Sequence, residues 1–292
     1  MNNTAKRFLP QLALFTAAMI WGSSFFIVKN TVDVFPTNYL LAIRFTAGSL
    51  LLALLFPKKL RQLDRTCLLQ GTVLGVLIFA AYCIQTIGLM ETTPGKNAFL
   101  TTAYCILVPF LYWITDKRRP DLYNFSAAFL CLAGIGLVSM DGGFSIGFGD
   151  AVTLISAFFF AAHILAGARF GGKKDPILLT IIQFAAAAVC AWVLALTTET
   201  FPQEIPLNAA LSLLYLAVFP TTVALLLQNI GLKYADPTSG AILLSLESVF
   251  GVLFSIVFYH EHLTLRLAAG FLLIFLAVIL SETKLSFLRK KK

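Results

Sequence analysis

The sequence predicts an all-α polytopic membrane protein of ten transmembrane helices, arranged as two inverted five-helix repeats with both termini in the cytoplasm. Three observations carry this prediction. The composition is far more apolar than that of a soluble domain. The basic residues gather in every second loop, and one segment of the chain occurs twice.

The composition of the 292-residue chain indicates a surface that faces lipid. Hydrophobic residues make up 59% of the chain, charged residues 12%, and the mean hydropathy is +0.86, whereas soluble domains carry about 25% charged residues. A helix that crosses the bilayer needs about 20 mostly apolar residues. Ten such runs leave no room for a sizeable soluble domain. They lie near 9–28, 39–57, 68–89, 98–115, 123–140, 149–168, 177–197, 207–229, 238–259 and 264–282.

The distribution of lysine and arginine predicts the orientation. Counted from a cytoplasmic N-terminus, eighteen of the 22 basic residues fall in segments on the inner side. Only Lys29, Lys96 and Arg266 fall on the outer side, and Arg44 lies within a span. This asymmetry follows the positive-inside rule. The net charge of +8 therefore indicates cytoplasmic anchoring near anionic lipid, including the basic tail 285–292, and argues against a nucleic-acid partner.

The cysteines do not indicate disulfides or a metal site, and the N-terminal apolar run does not indicate a signal peptide. The five cysteines are scattered without a CxxC pair, so we expect apolar buried thiols rather than disulfides or metal ligands. The first apolar run follows Lys6 and Arg7 but exceeds the length of a signal-peptide core, and no clear cleavage site ends it. We expect it to be a retained first helix.

One segment is repeated 143 positions later. The stretch 85–98 reads QTIGLMETTPGKNA and the stretch 228–241 reads QNIGLKYADPTSGA. Earlier parts of the two halves align less clearly. At an offset of 139 positions, Trp21 aligns with Phe160 and Arg44 aligns with Gln183. Five spans per half is an odd number, so the second half enters the membrane from the opposite side. The repeats are expected at 8–141 and 148–284, related by a pseudo-twofold axis in the membrane plane.

A set of short motifs runs along the chain in a fixed order. The motifs are WGSSF at 21–25, Arg44-Phe45, the doubled QxxGL segment, Pro94, Pro237, SLESVF at 245–250 and Glu261. Together they resemble the drug/metabolite transporter superfamily, and specifically its EamA-type ten-helix permeases. The resemblance covers about residues 9–283. It implies a multi-pass protein of the cytoplasmic (inner) membrane that exports small metabolites, such as amino acids or related amphipathic compounds.

Ionisable side chains inside the spans are the first candidates for a site, because a charge at mid-bilayer costs about 2.5–3.5 kcal/mol on insertion scales and usually faces the bundle interior. Glu247 could bind a substrate ammonium or exchange a proton, or it could make a structural hydrogen bond. Arg44 could hold a substrate carboxylate, or snorkel to the outer interface or pair with a carboxylate. His163 suits proton coupling, although a satisfied core histidine is the commoner arrangement.

Polar and aromatic residues supply the remaining candidates. Gln85 and Gln228 are equivalent in the two repeats and could bond a substrate or join helices, and their presence in both halves favours the second role. Aromatic and hydroxyl groups could line a cavity, pack in the core or sit in an interfacial belt. Those proposed for a cavity are Trp21, Ser24, Phe25, Tyr82 and Tyr104.

These features predict a secondary transporter working by alternating access, with an uncoupled facilitator or channel as the alternative. The sequence contains no G-x-x-x-x-G-K-[ST] loop, which argues against ATP-driven pumping by this chain. Its three histidines form no enzyme-like cluster, so no catalytic residue, metal or cofactor is expected. The expected partners are a small-molecule substrate, the lipid bilayer and a coupling proton. A homodimer is left open.

Overall fold

Helices account for almost all of the computed structural model, which describes residues 3–117, 119–139, 146–171, 174–234 and 237–285. The described helices form ten membrane-crossing segments, because α5 and α6 share one segment and α10 and α11 share another. They are α1 Asn3–Thr31, α2 Thr37–Leu55, α3 Pro57–Leu60, α4 Arg65–Met90, α5 Pro94–Thr101, α6 Tyr104–Asp116, α7 Leu122–Ser139, α8 Phe148–Gly171, α9 Pro176–Thr198, α10 Leu207–Val218, α11 Ala224–Tyr234, α12 Pro237–Phe258 and α13 Leu265–Thr283.

The predicted helical membrane fold is confirmed. Within the described ranges, nine segments are long and apolar enough to cross a membrane, and α12 adds a shorter apolar stretch at Leu243–Phe258. Many large apolar side chains on the outside of the bundle are exposed, such as Leu54, Phe129 and Leu196. Such a surface is stable in hydrocarbon, and the helices satisfy their own backbone hydrogen bonds there.

Two predicted spans are confirmed as Pro94–Asp116 and Leu207–Gln228, and each contains an interruption of its helix. The run at 98–115 is split between α5 and α6 at Thr102 and Ala103, where the Thr102 hydroxyl donates to the Phe99 carbonyl (2.6 Å) and competes with the helical pattern. The run at 207–229 contains a π-helical turn at Phe219–Val223. Pro220 lies in that turn and lacks the N–H that an α-helix needs.

The doubled segment marks two equivalent helix crossings. A Cβ added to Gly88 of α4 would lie 2.5 Å from Thr153 Oγ1 and 2.9 Å from the Gly149 carbonyl of α8. A Cβ added to Gly231 of α11 would lie 2.5 Å from the Leu14 side chain and 3.0 Å from the Pro10 carbonyl of α1. Gly149 and Thr153 lie 139 positions after Pro10 and Leu14. The two glycines therefore allow the same close approach, once in each repeat.

The charged residues at the two faces of the bundle have different kinds of partner. We call the face where α1 begins and α13 ends the basic face, and the other the distal face. Ion pairs at the basic face join the two repeats. They are Lys59–Asp175, Lys174–Asp64, Arg169–Asp116 and Lys284–Asp121.

Carboxylates at the distal face cap helix ends across the repeats. Glu199, after α9, accepts from the backbone N–H groups of Asn38 and Tyr39 (3.0 and 3.1 Å) at the start of α2. Glu261, after α12, accepts from the Gly95 N–H (3.0 Å) at the start of α5 and from the Ser255 hydroxyl (2.5 Å). These bonds satisfy N–H groups that have no partner within their own helix.

The apolar core of the described residues has a small cluster around Leu178 and two large clusters. One joins α1, α2, α4, α9 and α10 around Phe35, Phe45 and Leu216. The other joins α5 to α8 with α12 and α13 around Leu100 and Ile274. Each cluster combines helices of both repeats, so the repeats interleave rather than forming separate bodies.

Candidate functional site

A cavity of about 220 Å³ opens inside the bundle between helices of both repeats. Its volume is below the roughly 300–1,000 Å³ of pockets for drug-sized ligands, which suits a small solute. All ten site residues predicted from the sequence line it. They are Trp21, Ser24, Phe25, Arg44, Tyr82, Gln85, Tyr104, His163, Gln228 and Glu247.

The cavity wall follows the internal symmetry of the chain. Eighteen of its twenty lining residues form pairs at the two offsets that align the repeats, 139 and 143 positions. The cavity therefore lies on the pseudo-twofold axis, where each repeat contributes the same positions. The pairs are Trp21/Phe160, Ser24/His163, Phe25/Ile164, Arg44/Gln183, Phe45/Phe184, Ile78/Thr221, Tyr82/Leu225, Gln85/Gln228 and Tyr104/Glu247.

Arg44 is held inside the bundle by two side chains. Its side chain is only 2% exposed, so the snorkelling alternative is wrong. The guanidinium lies over the Tyr82 ring, 4.8 Å from the centroid, in the geometry of a cation–π contact. Its Nε donates to Thr221 Oγ1 (2.7 Å). Arg44 is therefore a fixed cation at the cavity wall.

The π-helical turn explains why Thr221 accepts this bond. In a regular helix the N–H of residue 220 would donate to the Leu216 carbonyl, but Pro220 has no N–H. The Thr221 hydroxyl donates to Leu216 O instead (2.9 Å). A hydroxyl has one proton, so Thr221 Oγ1 must accept from Arg44. The same turn presents the Pro220 carbonyl to Trp21 Nε1 (2.8 Å).

Glu247 supplies the carboxyl group of the cavity. It lies on α12 and interacts electrostatically with Arg44 on α2. Gly22 brings α1 against α12 here, since a Cβ on Gly22 would lie 2.9 Å from the Glu247 carbonyl. The cavity thus contains one fixed cation and one carboxylate among apolar and aromatic walls.

Polar pairs complete the wall. His163 Nε2 donates to Gln183 Oε1 (2.9 Å), because an amide oxygen can only accept. Gln85 Nε2 donates to Thr101 Oγ1 (2.9 Å) and so joins α4 to α5 while also facing the cavity. The joining role expected of Gln85 and its cavity position therefore coexist.

Aromatic rings cover much of the remaining surface. Phe160 lies between Tyr82 (centroids 5.2 Å apart) and Tyr104 (6.1 Å), and Phe45 contacts Tyr82 edge-on (5.7 Å). The sequence did not single out Phe160, Gln183, Thr101 or Thr221 as site residues. The repeat alignment held the signal for Phe160 and Gln183, which match Trp21 and Arg44.

The comparisons with known proteins agree with the two-repeat fold. The model of the EamA-like transporter family matches residues 9–140 and again residues 147–283. The chain belongs to this family. The resemblance read from its motifs is thereby confirmed.

Curated relatives of the EamA-like chain are named as transporters, and a solved structure shares its fold. An uncharacterized transporter of Archaeoglobus fulgidus is 34% identical over 94% of this chain and 86% of its own length. The uncharacterized transporter YvbV of Bacillus subtilis is 25% identical over 94% of this chain and 91% of its own length. The uncharacterized inner membrane transporter YedA of Escherichia coli is 24% identical over 73% of this chain and 71% of its own length. A crystal structure with 19% identity shares the fold, with a TM-score of 0.68 over 97% of this chain and 99% of the other.

Proposed function

We propose that this EamA-like protein is a secondary transporter that exports small metabolites, such as amino acids or related amphipathic compounds, by alternating access. The repeats 8–141 and 148–284 would exchange conformations about their pseudo-twofold axis. The observation that carries the proposal is the cavity on that axis, lined by matching positions of both repeats. A site shared equally between two inverted repeats can face either side of the membrane in turn.

Charge supports the proposed substrate class. Arg44 and Glu247 offer opposite charges in one small cavity, and aromatic rings surround them. This combination suits a solute that carries both polar groups and an apolar part. The proposal includes both termini in the cytoplasm, no catalysis by the chain, and coupling to a proton exchanged at Glu247.

Metabolite profiling tests the substrate class. Medium and cytoplasm are compared after deletion and after overexpression of the gene, and the proposal expects a small zwitterionic or amphipathic metabolite to rise in the medium on overexpression. The purified protein in proteoliposomes should then concentrate that metabolite when a pH gradient is imposed. Flux that is never concentrative and ignores both the pH gradient and the membrane potential would favour an uncoupled facilitator instead.

Glu247→Gln tests the coupling role. The amide keeps the shape of the side chain but can neither carry the charge nor exchange a proton, so transport should lose its pH dependence and slow by about tenfold or more, as expected for losing a hydrogen bond to a charged group. Glu204→Gln, in an exposed loop, removes the same charge far from the cavity and serves as the control. An unchanged rate and pH profile in Glu247→Gln would remove this residue from binding and coupling.

A further inference from the structure

The π-helical turn at Phe219–Val223 has a consequence for what the cavity can bind. Thr221 engages the Nε–H of Arg44, and a guanidinium has five N–H groups in a fixed planar fork. The Thr221 bond takes the Nε–H, and Tyr82 lies against the guanidinium and shares a side-chain hydrogen bond with it. The two Nη atoms carry four N–H groups, more than Tyr82 alone engages, so they can also donate to a carboxylate.

Two hydrogen bonds set the role of the Thr221 hydroxyl. Pro220 has no N–H to donate to the Leu216 carbonyl, and the Thr221 hydroxyl donates its proton there. Its oxygen then accepts from Arg44 Nε, which can only donate. The π-helical turn therefore presents Thr221 as a hydrogen-bond acceptor for Arg44.

We infer that Arg44, oriented by Thr221, forms a subsite for the carboxylate of the transported solute, with Glu247 facing the solute's cationic group. Thr221 acts as a positioning residue, because it acts on the solute only through Arg44. The inference rests on the proposed function in one respect, that the bound solute is the one transported. Because it concerns equilibrium binding, it can be tested separately from transport.

Charge balance supports a zwitterion over a simple anion. Arg44 and Glu247 attract each other electrostatically and compensate each other's charge when Glu247 is ionised. A solute with one carboxylate and one ammonium leaves the net charge of the buried site unchanged, whereas an anion alone would add an uncompensated charge at high cost. The 220 Å³ volume accommodates a small solute of this kind.

Three probe ligands test the contributions of the solute's carboxylate and ammonium to binding separately. L-phenylalanine carries both, 2-phenylethylamine lacks the carboxylate, and 3-phenylpropionate lacks the ammonium, while all three keep a phenyl group for the aromatic wall. Binding is measured by calorimetry on the full-length protein in nanodiscs. The unsubstituted protein should bind L-phenylalanine more tightly than either analogue.

Thr221→Val tests the positioning role, because valine keeps the shape of the side chain but cannot accept from Arg44. We expect the Kd of L-phenylalanine to rise by about tenfold, the equivalent of one hydrogen bond to a charged group, and the Kd of 2-phenylethylamine to stay unchanged. Thr221→Ser should restore the unsubstituted values. Thr222→Val is the matched control, since the Thr222 hydroxyl contacts only the Ala217 carbonyl (3.4 Å) in the same turn.

Each other outcome counts against the subsite. The subsite would be overturned if L-phenylalanine failed to bind, or if 2-phenylethylamine bound as tightly. It would also be overturned if Thr221→Val weakened the binding of both probes equally, or if Thr222→Val weakened the binding of L-phenylalanine as much as Thr221→Val does. L-phenylalanine counterflow in proteoliposomes is measured in parallel. Selective binding of the carboxylate probe without any flux would overturn the proposed function while leaving the subsite intact.

Discussion

Asp175 shows how a single residue can secure a helix at the membrane boundary. It caps α9, where its carboxylate accepts from the N–H groups of Ile177 (3.0 Å) and Leu178 (3.3 Å), and it pairs with Lys59. Partial burial acts to raise the pKa of Asp175, but Lys59 and the two N–H groups outweigh burial, so this pKa lies below its usual value. The ionised form is therefore the one that stabilises the fold.

Asp175→Ala should lower the free energy of unfolding by about 0.5–2 kcal/mol, the usual effect of removing a helix cap. Because the pKa is lowered in the folded protein, the contribution of the charge is present above the unfolded value of about 3.9 and is lost as the pH falls through the folded value. Thermal unfolding in detergent between pH 7 and pH 3 measures both effects.

Asp175→Asn separates the cap from the charge. Asparagine retains a capping oxygen but does not titrate, so at pH 7 it should unfold closer to the unsubstituted protein than the alanine variant does. Its stability should also fall less on acidification. Equal melting of all three proteins at pH 7 would show that neither the cap nor the ion pair stabilises α9.

The sequence could predict charged site residues better than the groups that orient them. Arg44 and Glu247 stand out because a charge in an apolar run needs an explanation. Thr221 does not, since a threonine in an apolar helix commonly bonds its own backbone. Its role depends on the missing N–H of Pro220 and on a π-helical register that side-chain periodicity does not reveal.

At the level of helices, the glycines of the doubled segment are contact points rather than flexible joints. Gly88 meets a backbone carbonyl and a backbone nitrogen of α8, both at 2.9 Å from an added Cβ. Gly231 meets the end of a leucine side chain and one carbonyl at 3.0 Å. A leucine side chain can move aside more readily than a helix backbone can.

Gly88→Ala should therefore destabilise the protein more than Gly231→Ala, with both in the range of about 1–3 kcal/mol for overpacking. Gly136→Ala in α7 is the control, because an added Cβ there meets nothing within 4 Å and alanine favours a helix by about 1 kcal/mol. Thermal unfolding in detergent gives the order. A loss in Gly136→Ala as large as in Gly88→Ala would contradict the crossing role.

Helix positions were largely predictable and helix interruptions were not. A hydrophobic run of about 20 residues is required by the bilayer thickness, so the spans are visible in composition alone. The break at Thr102 and Ala103 and the turn at Pro220 lie inside such runs. Their causes are local hydrogen-bond competition and a missing donor, which leave the run equally apolar.

For the whole molecule, the basic residues at the distal face have specific partners. Lys29 donates to the carbonyls of Leu89 and Met90 (2.8 and 2.7 Å) at the end of α4. Arg266 donates to the Leu137 carbonyl (2.8 Å) near the end of α7, and Lys96 pairs with Asp150 (3.7 Å). Cations at helix C-termini are favourable, which explains Lys29 and Arg266, while the Asp150 carboxylate compensates Lys96.

Cysteine accessibility tests the proposed orientation. In a variant without the five native cysteines, Gln203→Cys in the distal loop and Gln62→Cys at the basic face give one exposed thiol each. A membrane-impermeant maleimide added to intact cells should label position 203, and position 62 only after permeabilisation. Labelling in the reverse order would place the termini outside.

Some aligned cavity positions carry different residues in the two repeats, and these differences bear on the direction of transport. If the two repeats were identical, the states open to either side would have the same free energy in a symmetric membrane. Here Arg44 opposes Gln183, and Glu247 opposes Tyr104. On the proposed mechanism, an exchange of conformations would therefore move charge between environments that are not equivalent. The empty protein would then have a resting preference for one side, and a membrane voltage would act on that preference.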